Sequence, residues 1–181
     1  GFLKFFETGV ITALPKIIGV QSRHANPVYR YFREPVPENR KFTPMTVQPS
    51  VAQAAMIGNP VSMPRVIHLV EKYNRTAGRQ KTFFVEVTEQ DIMDWELLAN
   101  RNGHIACTHG GESLAGLVQA KKQGFVDSND IAILDSTAHA LKFLGFQEMY
   151  FADRFPPEYN VSPKNDLKNS LKRRSGECFP K

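Results

Sequence analysis

The chain has 181 residues, 41% of them hydrophobic and 23% charged, with a formal net charge of +5. That size supports one good core and a single domain rather than two. No apolar run approaches the roughly 20 residues of a membrane span, no signal-peptide pattern is visible, and two cysteines, Cys107 and Cys178, are too few for a disulfide framework, so a reducing cytoplasm is the expected setting.

The opening stretch GFLKFFETG places Phe2, Phe5 and Phe6 at helical spacing, with Gly9 either ending that helix or sitting in its last turn. Gly1 in place of Met, running at once into helix-like sequence, is read as the sign of an N-terminal part that precedes it. Pro15 punctuates, and KIIGVQ (16–21) reads as a buried strand. After the loop SRHA, Asn26 is an N-cap with Pro27 at the first helical position, so residues 16–32 form a strand, loop and helix. Four prolines between 33 and 49 exclude a central strand there. SVAQAAMI (50–57) is small and apolar and leads through GNPVSMP into a helix carrying Val66, Ile67, Leu69 and Val70.

TFFVEV (82–87) is rich in strand formers. Thr88 with Asp91 three positions on makes an aspartate variant of the capping box, and Gly103 stops the helix that follows. HIACT (104–108) is a short strand candidate, and Gly110–Gly111 opens a helix that ends near Gly124. IAIL (131–134) reads as a strand, and DSTAHALKF (135–143) follows it as a polar turn and a helical turn. Strands alternating with helices predict an α/β fold: three αβα layers with a mostly parallel sheet.

In such sheets ligands lie beyond the carboxyl ends of the strands. Three stretches suit that position: IGNPVS (57–62), CTHGGES (107–113) and DSTAH (135–139). Gly110–Gly111 would let backbone N–H groups approach an anion, although glycines at such turns also serve tight packing. His109 and His139 are candidates for acid or base chemistry, against the plainer role of a hydrogen-bonded structural imidazole. Glu112 reads most simply as a charge compensating a helix dipole, and Asp135, Ser136 and Thr137 as a helix cap or as ligand-facing groups. The five scattered histidines and two cysteines give no zinc spacing, and no P-loop, nucleophile elbow or dinucleotide fingerprint is present. Residues 160–181 hold six basic and two acidic side chains, +4 of the chain's +5, so a solvated basic tail is expected and a nucleic-acid partner is not.

PKIIGVQ (15–21), IGNPVSMPRVI (57–67), VTEQDI (87–92), HIACTHGGESLAGL (104–117) and ILDSTAHALKF (133–143) occur in an order and at spacings that resemble the C-terminal half of the threonine synthase family. The likeness covers most of residues 1–157, leaving 158–181 as a basic tail. It implies a pyridoxal 5'-phosphate enzyme of fold type II, acting on O-phospho-L-homoserine and water to give L-threonine and phosphate. It assigns Thr137 to the pyridine nitrogen of the cofactor, and Gly58 and Asn59 to the loop beside the ring. Thr108 and His109 stand where several relatives carry a Glu-Pro type sequence, so no role passes to them. The cofactor-bearing lysine and the phosphate loop are expected upstream, which makes that N-terminal half a required partner, leaves the chain inactive alone, and allows a homodimer. Lys142, in ALKF, is structural on this resemblance. Two alternatives stand: a dehydratase of the same fold type, and a non-catalytic α/β module whose tail contacts nucleic acid.

Overall fold

The computed structural model describes residues 1–163; most of the basic tail, with Cys178, lies outside the described residues. The first helix, α1 (Phe2–Glu7), buries no residue, and Phe2 and Phe5 are each half exposed. Strand β1 (Ile17–Ser22) pairs in parallel with β2 (Thr82–Val87), Gly19 opposite Phe84 and Val20 opposite Val85. Pleating turns these two pairs to opposite faces, so each face takes its own helix. On one face Phe32 of α2 (Pro27–Arg33) stacks on Phe84 at 4.3 Å. On the other, Gly116 of α5 (Thr108–Lys122) lies directly on Val20. The expected α/β layering is therefore present, on a sheet of two strands among the described residues.

Helix α3 (Met63–Ala77) returns the chain to the start of β2, where Asn74 Oδ1 accepts the Lys81 and Thr82 N–H groups. Helix α4 (Glu89–Arg101) carries the expected reciprocal box: Thr88 Oγ1 accepts the Asp91 N–H and Asp91 Oδ2 accepts the Thr88 N–H. Gly103, at φ 89°, ends the segment as predicted. Helices α4 and α5 pack closely because Gly111 has no side chain; a Cβ there would sit 2.6 Å from Glu96 Cβ and from the Ile92 carbonyl oxygen. Val51, Val87, Ile92, Met93, Leu97 and Ala115 form the core beside this contact, closed by Phe146 and Tyr150 of α6 (Leu144–Ala152). Each such large side chain contributes about 1.5–3 kcal/mol as an upper estimate.

Three local expectations are corrected. IAIL is not a buried strand: Ile131 and Ile133 are 94% and 95% exposed, and residues 131–134 make no backbone hydrogen bond. HIACT supplies only an isolated antiparallel bridge, Ala106 to His139, because Thr108 already begins α5. Asn26 does not cap α2; its amide donates to Glu86 Oε2 at 2.6 Å, and Gln21 Oε1 takes the Val28 and Tyr29 N–H groups instead.

Candidate functional site

The carboxyl ends of both strands meet the start of α5, and four buried polar residues tie them together. Ser22 ends β1, and Glu89 opens α4 directly after β2. The Ser22 hydroxyl donates to Glu89 Oε1, while Ser50 Oγ and the Val51 N–H donate to Glu89 Oε2 at 2.8 and 2.7 Å. The Ser22 N–H donates to Glu112 Oε1 at 2.9 Å. His24 adds an N–H from Nδ1 to the Pro49 carbonyl at 2.5 Å, with Glu89 3.7 Å away. Glu89 and Glu112 are 2% and 7% exposed. Burial, with the nearby Glu89 charge adding to it and the Ser22 N–H opposing it, pushes the Glu112 carboxyl up to about 7. Glu112 is thus no exposed dipole-compensating charge; it is a buried acceptor for the sheet edge. Ser22, Glu89 and Ser50 have no sequence signature of their own, although a Glu directly after the cap of a helix that follows a strand is a position worth testing for this role.

The turn at Ser50–Val51 leads to residues 52–58. The Ala54 N–H donates to His109 Nε2 at 3.1 Å, which leaves Nδ1 as the protonated nitrogen, 3.6 Å from Cys107 Sγ. Burial holds the His109 pKa below its ordinary value. Between the two alternatives for His109, these contacts favour the structural one: a neutral imidazole locking the 52–54 turn to α5. His139 likewise uses Nδ1 to accept the Leu141 N–H, so the cap of the short turn Ala140–Lys142 is His139, and Asp135, Ser136 and Thr137 do not cap it. The glycine pair serves packing: Gly110 lies against Ala106 and Ser136, and Gly111 against α4.

Thr137 occupies a different environment. The backbone on both sides of it is fixed: the Asp135 carbonyl accepts from Ser113 Oγ at 2.9 Å, and the Ala138 carbonyl accepts the Cys107 N–H at 3.3 Å. The Thr137 side chain is exposed, and its hydroxyl has no partner among the described residues. Gly58 is fixed from elsewhere, its carbonyl accepting the Met45 N–H at 3.0 Å, and a Cβ at 58 would run into the Met45 carbonyl oxygen. Asn59 is exposed, with no partner for its amide among the described residues. The stretches 107–113 and 135–139 are thus in direct contact, and His109 joins them to the turn before Gly58. The contacts that hold Gly58 are with Met45 and Val47. Beside these groups, Thr108 Oγ1 is buried without a hydrogen-bond partner.

No group of three or more metal-ligating side chains occurs among the described residues, and no helix among them is long and apolar enough to cross a membrane. Thr137 and Asn59 offer an uncharged hydroxyl and an uncharged amide, which fit the polar edge of an organic cofactor rather than a metal ion.

A family model described as pyridoxal-phosphate dependent enzyme matches residues 1–136, ending one residue before Thr137. The chain is 33% identical over 143 residues to threonine synthase 2, chloroplastic, of Arabidopsis thaliana, a match covering 79% of this chain and 26% of that protein. It is 29% identical to threonine synthase of Methanocaldococcus jannaschii, covering 78% of this chain and 33% of the relative, and 28% identical to threonine synthase of Mycobacterium leprae, covering 78% and 35%. The chain therefore spans about a quarter to a third of the length of the curated relatives it matches. A match over three quarters of the chain, on a parallel α/β scaffold whose strand ends converge with α5, shows that the chain belongs to the pyridoxal-phosphate dependent enzyme family.

Proposed function

We propose that this chain supplies one wall of the active site of a threonine synthase, and that the complete enzyme converts O-phospho-L-homoserine and water to L-threonine and phosphate. The observation that carries this reading is Thr137: a backbone fixed on both sides with a hydroxyl left free, at the place where the resemblance puts the residue facing the cofactor ring. Pyridoxal phosphate, when bound, supplies an electron sink for charge developing at the substrate Cα.

Thr137 Oγ1 would donate a hydrogen bond to the pyridine nitrogen. A neutral hydroxyl holds its proton far too tightly to transfer it, so that nitrogen stays uncharged and the sink is moderated. Such moderation suits a reaction in which protons leave Cα and Cβ, the Cγ–O bond to phosphate breaks, a proton returns to Cγ, and water adds its hydroxyl at Cβ and a proton at Cα. Asn59 would border the ring with its free amide, and Gly58, set by Met45, would fix where that amide starts. The Ser22–Glu89–Ser50 cluster keeps the strand ends and the 50–54 turn in place beneath both. None of the lysines stands in the context of the family's cofactor-bearing lysine, so the chain alone is expected to be inactive and to bind pyridoxal phosphate weakly or not at all.

The test fuses the chain to the part of the Methanocaldococcus jannaschii threonine synthase outside the matched stretch and measures phosphate and threonine formed from O-phospho-L-homoserine. Thr137→Ser should retain activity. Thr137→Val should lose about 10–100-fold, the worth of one hydrogen bond in a dry site. Equal rates for Thr137 and Thr137→Val would overturn the assignment, and turnover of serine or threonine with no use of the phosphorylated substrate would favour the dehydratase alternative.

A further inference from the structure

Alternation along β2 puts Phe84 and Glu86 on one face of the sheet and Val85 and Val87 on the other. Phe84 meets Phe32 of α2 there, and Glu86 lies farther along the same face, beside a cavity of about 440 Å3. Four cationic side chains line it. Arg23 comes from the turn after β1, Arg30 and Arg33 from α2, and Lys41 from the segment that follows α2. Among the described residues the acidic lining is Glu86 alone.

That carboxylate is already engaged. Its Oε2 accepts from the Asn26 amide at 2.6 Å, and its Oε1 lies 3.7 Å from the Arg23 guanidinium. Glu34, at the carboxyl end of α2, gives Oε1 to the Val36 N–H and does not line the cavity. The side chains of Arg30, Arg33 and Lys41 make no ion pair and no hydrogen bond among the described residues. Arg30 and Arg33, three positions apart, share a face of α2, where like charges repel. Four cations against one carboxylate leave an excess of three positive charges in the lining.

The walls are held in place. Gln21 Oε1 takes the Val28 and Tyr29 N–H groups at the start of α2, and Phe32 pins the helix to β2. Opposite, Lys41, Thr43 and Pro44 run into Met45, whose N–H donates to the Gly58 carbonyl and whose sulfur accepts the Asn26 N–H. The volume falls within the roughly 300–1,000 Å3 of small-molecule sites.

We propose that this cavity binds a small anion carrying two phosphate groups, held by Arg30 and Arg33 from α2 and by Lys41 from the facing segment. Guanidinium forks address phosphate oxygens two at a time, and lysine adds a point charge. Two phosphate groups bring roughly three to four negative charges at neutral pH, which matches the excess, whereas a single carboxylate leaves most of it uncompensated. Thr43 adds a hydroxyl with no partner among the described residues. The site stands on residues 23–44 and Glu86, and is independent of the assignment of Thr137.

The test is isothermal titration calorimetry of the 181-residue chain at about 0.1 M salt. Inorganic diphosphate and fructose 1,6-bisphosphate are the probes, and citrate is the carboxylate control. At least one probe should bind with a dissociation constant below about 100 μM. The tighter of the two shows whether the phosphates are joined directly or spaced by a carbon skeleton. Arg30→Gln combined with Arg33→Gln should weaken binding at least about 10-fold with circular dichroism unchanged, because both side chains are exposed. Lys41→Gln, on the facing wall, should weaken it about 3–10-fold. Binding unchanged in these variants would place the anion elsewhere on the chain and overturn the proposal. Citrate binding as tightly as the phosphates, or no binding up to about 1 mM, would do the same. In the fusion to the unmatched part of the Methanocaldococcus jannaschii enzyme the affinity should persist; its loss there would also overturn the site, whatever the fusion's threonine output.

Discussion

The Ser22–Glu89–Ser50 cluster and the 130–137 segment lie at two sides of the same α5 start, and they are opposites in satisfaction. At the cluster, both oxygens of the Glu89 carboxylate are taken, and Ser22 bonds through its N–H and its hydroxyl. Along 131–137 the main chain is bare except for Asp135 and its apolar side chains face solvent. The difference teaches which part of the site this chain completes from its own residues. The scaffold under the strand ends is finished, and the surface carrying Thr137 is held in shape but left open.

Removing the anchor of the finished region should have the largest effect. Glu89→Ala strands the donors of Ser22, Ser50 and Val51 in the interior, and should cost about 3–5 kcal/mol in urea denaturation. A loss under about 1 kcal/mol would erase the contrast between the two regions.

A second effect separates them by pH. Burial raises the Glu96 carboxyl to about 8, against an opposing hydrogen bond with Asn100, and Glu112 to about 7. A carboxyl group whose folded pKa exceeds the unfolded value of 4.5 holds its proton more tightly when native. Its stabilisation is whole below pH 4.5 and is lost as pH rises toward 7 and 8. The chain should therefore lose several kcal/mol between pH 5 and 9 from these two groups. Glu96→Gln should flatten most of that slope, and a slope unchanged in the variant would show that Glu96 is ionised throughout.

Gly58→Ala sharpens the comparison at the loop between the regions. Its Cβ must displace the Met45 carbonyl, at about 1–3 kcal/mol by thermal denaturation. The smallest effect belongs to the open side: Thr137→Val in the chain alone should change stability by less than about 0.5 kcal/mol. A larger loss would mean that Thr137 supports the fold and is no longer free to face a ligand.

Local chemistry was readable residue by residue. The Thr88–Asp91 box, the stop at Gly103 and the strands near 17–22 and 82–87 depend on neighbours within a few positions, and all are present. IAIL misled for the same reason: apolar β-branched sequence sets a preference for extended backbone, but a strand also needs a partner to bond, and 131–134 have none among the described residues. Glu112 was misread because a helix-start glutamate looks alike in sequence whether it faces water or the Ser22 N–H, 90 positions away. The glycine pair at 110–111 offered anion binding only as a weak alternative to tight packing, and Ala106, Ser136 and Glu96 lie against it.

By itself the sequence determined the alternation of strands and helices, the helix ends and the short stretches from which the family resemblance was drawn, because each is written in spacing or in a few adjacent side chains. Only the tertiary structure decided which polar groups are spent on one another and which are left over. Glu89, Ser22 and Ser50 come from three separate elements, and their mutual satisfaction arises from the parallel pairing of β1 with β2 under α5. Whether a hydroxyl such as that of Thr137 remains unused depends on everything packed around it, and no local pattern encodes that sum.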